Sequence, residues 1–116
     1  PRSDVLGLAV TNAYDHGVVL VAAAGNYGCQ CGGYPANYPV VNAVSAIDST
    51  YQLASFSNWG NQIDVTAPGA GVFSTYLRGG YKTMDGTSMA APHVSGAAAM
   101  LVLFFWIGKK WASWEA

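Results

Sequence analysis

The sequence predicts an α/β fold with a largely parallel sheet, and three observations carry that expectation. Apolar Leu6, Ala9, Val10 and Ala13 recur at helical spacing and lead directly into a continuous apolar run at residues 18–24. A β-branched run without polar alternation fits a strand buried on both faces, which parallel sheets produce because their crossover helices cover both sides. A second helix, almost wholly apolar, is expected from Ser88 to about Trp106.

Each element has a local cause. Ser3-Asp4 is a candidate N-cap for the first helix, and Gly17 stands just past its end. Residues 25–39 are rich in Gly, Tyr, Asn and Pro without a period, so they read as a loop beyond the carboxyl end of the first strand. Open α/β sheets build their sites there. Residues 42–47, 63–67 and 72–76 read as short strands, with Arg78-Gly79-Gly80 as a hairpin tip.

Composition narrows the function classes. Among 116 residues, 52% are hydrophobic and only 9% charged, against about 25% charged in an ordinary soluble domain. Such a chain reads as the core of a larger domain. A net charge of −1 with five Lys+Arg offers no nucleic-acid footprint. Pro1-Arg2-Ser3-Asp4 has neither an initiating Met nor an apolar export segment, so no signal peptide is read here and the true N-terminus is expected upstream. The longest apolar run, residues 97–107, falls short of the ~20 residues of a membrane span, so a buried helix and no span are expected. Cys29 and Cys31 lie one residue apart, a spacing at which mutual pairing would strain the loop. Each is equally open to pairing with another segment or to remaining a free thiol, and with no further His/Cys cluster a zinc site is not expected.

Two segments carry chemistry. Asp85-Gly86-Thr87-Ser88-Met89-Ala90 opens the last helix, placing a serine behind a glycine, accessible to substrate, in the positive field of a helix N-terminus. Ala22-Ala23-Ala24-Gly25-Asn26 ends the first strand. The Ser88 N–H and a side-chain amide at Asn26 suit the two donors of an oxyanion hole. Taken singly, Gly-Thr-Ser is an ordinary N-cap signal and Gly-Asn an ordinary turn. Their combination decides for function.

Gly86-Thr87-Ser88-Met89-Ala90-Ala91-Pro92-His93-Val94-Ser95-Gly96 resembles the nucleophile motif of the subtilisin family of serine proteases, and Ala23-Ala24-Gly25-Asn26 its oxyanion-hole motif. Between them Gly33-Tyr34-Pro35, Ala54-Ser55-Phe56-Ser57-Asn58-Trp59-Gly60 and Ala67-Pro68-Gly69 also resemble family segments. The resemblance implies a three-layer α/β/α fold of which residues 1–103 are the C-terminal part. It implies that Ser88 attacks a scissile carbonyl of a polypeptide substrate, with Asn26 and the Ser88 N–H holding the oxyanion and Thr87 supporting that hole. Ala23, Ala24 and Gly25 then form one side of the specificity pocket, with Gly33 opposite, and Tyr34-Pro35 matches the family's cis peptide. No cofactor is required. A structural calcium or monovalent cation in the full-length protein would match the carbonyls of Ala36, Tyr38 and Val41. Secretion is the family expectation.

The family's Asp and His precede its serine in the chain, and no residue here matches them. Among local substitutes, His93 follows Ser88 by five residues on one helix, well round from it at about 100° per residue, and His16 ends the first helix. Asp48, Asp64 and Asp85 read as turn or strand-end residues. The chain alone is therefore expected to be inactive, to need the missing N-terminal part of the domain as its partner, and to aggregate when isolated. A non-catalytic remnant or peptide-binding module is the alternative reading. An α/β-hydrolase esterase is disfavoured, because position 90 is Ala where its nucleophile elbow has Gly and its Asp and His should follow the serine. Residues 104–116 form an aromatic and basic tail that departs from the family pattern.

Overall fold

A computed structural model of the chain describes the backbone of residues 1–114 and the side chains of residues 1–110. Helix α1 (Asp4–Asp15) begins where expected, with the Ser3 hydroxyl accepting from the Leu6 N–H at 3.3 Å, and it closes before Gly17 at a φ of 79°. Strands β1 (Leu20–Ala23), β2 (Val41–Ile47) and β3 (Val65–Pro68) form a parallel sheet in the order β1-β2-β3. Strands β4 (Val72–Thr75) and β5 (Tyr81–Met84) pair antiparallel around a tip at Leu77–Gly79, and helix α2 (Thr87–Trp114) follows. The described elements are those of an α/β domain with its parallel sheet.

The strand buried on both faces is β2, not the first strand. Ala43, Val44, Ser45 and Ala46 of β2 are all buried, whereas every residue of β1 is half-buried. The reason is position. In the order β1-β2-β3 the middle strand has neighbours on both edges, while β1 is paired only with β2.

Val44 and Ala46 of β2, Ala54, Ala67 of β3 and Ala90 of α2 make the core, with Val21, Phe56 and Val94 packed against it. So many alanines let the first turns of α2 lie close on the sheet. Gly69 marks the tightest approach: a Cβ there would sit 2.5 Å from Ala46 Cβ and 2.8 Å from the Gly86 carbonyl oxygen. Gly69 also carries chain pairing, its N–H donating to Ile47 O and its carbonyl accepting from Gly86 N–H. Overpacking such a site costs about 1–3 kcal/mol. Gly69→Ala is accordingly expected to lower unfolding free energy by about that amount in denaturant titration, and an unchanged midpoint would show that the sheet and α2 can part without cost.

Three further expectations change. Helix α2 continues past residue 106 through Trp114, because residues 104–114 hold no proline and a single glycine, so nothing local stops it. Counting only the unbroken run at residues 97–107 also understated its apolar length. Thr87–Lys110 spans 24 residues at mean hydropathy 1.7, long and apolar enough by length and composition to cross a membrane, although its first turns rest on the sheet. Finally, Cys29 and Cys31 are joined to each other as a disulfide. Their Cα atoms are 5.2 Å apart, inside the ordinary range for a bridge, so the loop brings the two half-cystines on either side of Gln30 within reach. The tail assigned to residues 104–116 runs beyond the described residues at 115 and 116.

Candidate active site

Strand β1 extends its pairing one residue further, the Ala24 N–H donating to Val44 O at 2.9 Å. Gly25, at a φ of 109°, then turns the chain off the sheet and places Asn26 at its carboxyl edge. From the other direction β5 runs through Asp85 and Gly86 into the first turn of α2. Gly86 has a φ of 153° and is buried, and a Cβ on it would lie 3.4 Å from Asn26 Nδ2. The two segments therefore meet in van der Waals contact, and it is the φ of 153° at Gly86 that favours glycine there.

Thr87 locks them together. Its N–H and its hydroxyl both donate to Asn26 Oδ1, each at 2.8 Å, and its hydroxyl oxygen accepts from the Gly25 N–H at 3.1 Å. Thr87 is only 1% exposed, so these bonds form away from competing water. With Oδ1 held twice, the amide of Asn26 has one orientation, and its Nδ2 donor carries no hydrogen bond to a described residue. Neither does the backbone N–H of Ser88, whereas the next amide, Met89 N–H, donates to Gly86 O at 2.9 Å. Ser88 itself is exposed.

Ser88 thus stands at a helix N-terminus with two uncommitted donors near it. The helix dipole adds a partial positive charge there. Such a place stabilises negative charge that develops on a bound oxygen. Ser88, Met89, Pro92 and His93 of α2 line a groove of about 390 Å³ against Val72–Thr75 and Lys82 of the hairpin.

The remaining residues singled out from sequence fall into two groups. Ala23, Ala24 and Gly25 lie in line at the end of β1, Ala24 buried and Gly25 half-buried. Gly33 borders open space, with nothing within 4 Å of a Cβ built on it, and the Tyr34-Pro35 peptide is cis. Ala36, Tyr38 and Val41 line a common pocket of about 390 Å³ with Asn37, Gln62 and Asp64. Asn37 Oδ1 is buried without a hydrogen-bond partner. Oxygen donors of the kind that calcium and alkali cations take are present among these residues, although the Tyr38 carbonyl already accepts from Val41 N–H and the Asp64 carboxylate from Ala43 N–H. Among the described residues, no group of three or more His, Cys, Asp and Glu is placed to hold a metal.

Among the described residues, no side chain is hydrogen-bonded to the Ser88 hydroxyl. His93 borders the same groove, closer to the serine's surroundings than helical spacing alone suggested, but its Nδ1 is bonded to Met89 O at 2.8 Å. His16 Nδ1 is bonded to Asn12 O at 2.7 Å on α1. The three aspartates serve backbone, as expected. Asp64 accepts from Ala43 N–H and Asp85 from Gly71 N–H. Asp48 accepts from the Thr50 hydroxyl and from the Thr50 and Gln52 N–H groups, and these bonds, the Thr50 hydroxyl first, hold its carboxyl below the usual carboxylate range. One residue at the site escaped sequence reasoning. Asn58, read only as part of a loop, is buried and hydrogen-bonds to the chain on both sides of Asn26, and only its position in a motif of small and polar residues could have hinted at it.

Comparison with known proteins gives the geometry a context. A family model described as the Subtilase family matches residues 1–113. Subtilisin DY of Bacillus licheniformis is 50% identical over 104 residues, covering 86% of this chain and 38% of that protein. The thermostable alkaline protease of Halalkalibacterium halodurans is 50% identical over 99 residues, covering 85% of this chain and 27% of its own length. The solved structure of the prenylagaramide maturation protease PagA superposes with a TM-score of 0.82 at 38% identity, over 87% of this chain and 38% of that one. A mutant of the protease domain of PatA superposes equally well at 40% identity, with the same coverage. The chain therefore spans about two fifths or less of the relatives it matches.

Proposed function

The chain belongs to the subtilase family, and from that premise we propose that it carries the nucleophile half of a serine endopeptidase site. The carrying observation is the lock of Thr87 on Asn26 Oδ1, which leaves Asn26 Nδ2 and the Ser88 N–H as two free donors beside an exposed serine. In this reading the Ser88 hydroxyl oxygen bonds to the carbonyl carbon of a peptide while its proton passes to a base. The carbonyl oxygen, now negative, lies between the two donors. Collapse of that intermediate breaks the C–N bond, the amine leaves with the proton, and water later releases the acyl group by the same route.

Ala23, Ala24, Gly25 and Gly33 supply the small-residue walls of the pocket for the substrate side chain. Thr87, being buried, supports the oxyanion hole without touching substrate. The base and its orienting carboxylate come from segments of the full-length protein outside these 116 residues, a reading supported by the chain's spanning only 38% and 27% of two protease relatives and by the absence of a described side chain bonded to the Ser88 hydroxyl. Residues 1–116 by themselves are inactive on this account. No cofactor takes part, and the pocket of Ala36, Tyr38 and Val41 holds a weakly bound structural cation. Secretion of the full-length protein follows from the resemblance. That no described side chain is bonded to the Ser88 hydroxyl favours one second reading, a groove that binds peptide without cleaving it.

Labelling with a fluorophosphonate serine probe separates these readings. The full-length protein is expected to label at Ser88, its Ser88→Ala variant not to label, and residues 1–116 alone not to label. Absence of labelling in the full-length protein would leave the binding-module reading standing, and strong labelling of residues 1–116 would place a base inside this chain.

A further inference from the structure

We propose that Asn58 is a positioning residue for the oxyanion hole, holding the backbone on both sides of Asn26 so that the Asn26 amide keeps its orientation; this rests on the serine-peptidase reading of the site. Asn58 lies in the loop between β2 and β3 and is 2% exposed. Its Nδ2 donates to Ala24 O at 3.0 Å, its Oδ1 accepts from Tyr27 N–H at 2.8 Å, and its own backbone N–H donates to Gly25 O at 2.9 Å. Residues 24, 25 and 27 are thus all bound by one residue more than thirty positions away, and Asn26, between them, makes no hydrogen bond to Asn58 itself.

The chemistry explains why asparagine stands there. Its side-chain amide offers a donor and an acceptor as a peptide group does, so it pairs with the departing strand where no further backbone is available. Thr87 holds the Asn26 side chain through Oδ1 and accepts from the Gly25 N–H; the Ala24 and Gly25 carbonyls and the Tyr27 N–H are left to Asn58, and rotation of the backbone there would carry the whole Asn26 side chain with it. Asn58 removes that freedom. Gly25 is fitted to the same contact, because a Cβ at position 25 would lie 2.5 Å from Asn58 Nδ2 and the φ of 109° favours glycine.

A double-mutant cycle in the full-length protein tests this. Asn58→Ala is expected to lower kcat by roughly 10–100-fold with KM within about threefold, since a misaimed donor loses part of the 10²–10³ that one donor supplies. The same change in an Asn26→Ala background is expected to cost less than about threefold, because the donor it positions is gone. Equal losses in both backgrounds would overturn the proposal and mark Asn58 as merely structural. Should the wild-type protein hydrolyse no peptide, the peptidase reading fails, while the positioning role remains readable by nuclear magnetic resonance. Asn58→Ala should then shift the Asn26 side-chain amide signals and speed hydrogen exchange at Tyr27 N–H, and unchanged signals at both positions overturn it. If Asn58→Ala does not fold, Asn58→Asp, which keeps an acceptor for Tyr27 and loses the donor to Ala24, is read in the same ways.

Discussion

Ser88→Ala in the full-length protein is expected to abolish peptide hydrolysis, with a loss in kcat on the order of 10⁶, a magnitude carried over from the corresponding knockout in subtilisin itself. The expectation rests on two features of the structure. Ser88 is exposed in a groove, and the groups near it are donors suited to an oxyanion, not alternative nucleophiles. Replacing its side chain by a methyl leaves both donors, so whatever acceleration remains belongs to binding and the oxyanion hole. The substitution touches no hydrogen bond that holds the site together, since those run through Thr87, Asn26 and Asn58. Thermal stability should therefore be nearly unchanged. Steady-state kinetics on a denatured protein substrate read the effect; a variant retaining more than about one hundredth of wild-type kcat would place the nucleophile elsewhere.

Asn26 should give the second largest effect. Asn26→Ala removes one donor and is expected to lower kcat by about 10²–10³ with little change in KM, again the size known from the oxyanion asparagine of subtilisin. The split follows because the donor meets full negative charge only in the transition state, so substrate binding gains little from it. Alanine also leaves the buried Thr87 N–H and hydroxyl without their acceptor, which costs stability by about 1–3 kcal/mol. Asn26→Asp distinguishes the two consequences. Aspartate keeps an oxygen for both Thr87 donors and replaces Nδ2 with an acceptor that repels the oxyanion. It should fold as well as the parent and be at least as inactive as Asn26→Ala. An active Asn26→Asp enzyme would mean that Asn26 serves the fold and not the chemistry.

Much of this protein is determined within short stretches of its sequence. The start of α1 follows from Ser3 capping Leu6, its end from Gly17, and the hairpin tip from Arg78-Gly79-Gly80, because caps and turns depend on residues within four positions of one another. The helix that presents Ser88 and the strand end that presents Asn26 are equally local, and their pairing as one motif carried the family resemblance. Only the tertiary structure decided which strand is central, since β2 owes its burial to neighbours on both edges and not to a stronger apolar pattern. It likewise decided that Thr87 holds the Asn26 side chain across 61 residues while Asn58 holds its neighbours Ala24 and Tyr27 by side-chain bonds across 34 and 31 residues. Polar side chains of that kind look the same in sequence whether they cap a turn or orient a catalytic amide. Their role depends on which distant donor or acceptor the fold brings within about 3 Å, and no periodicity of the chain encodes that.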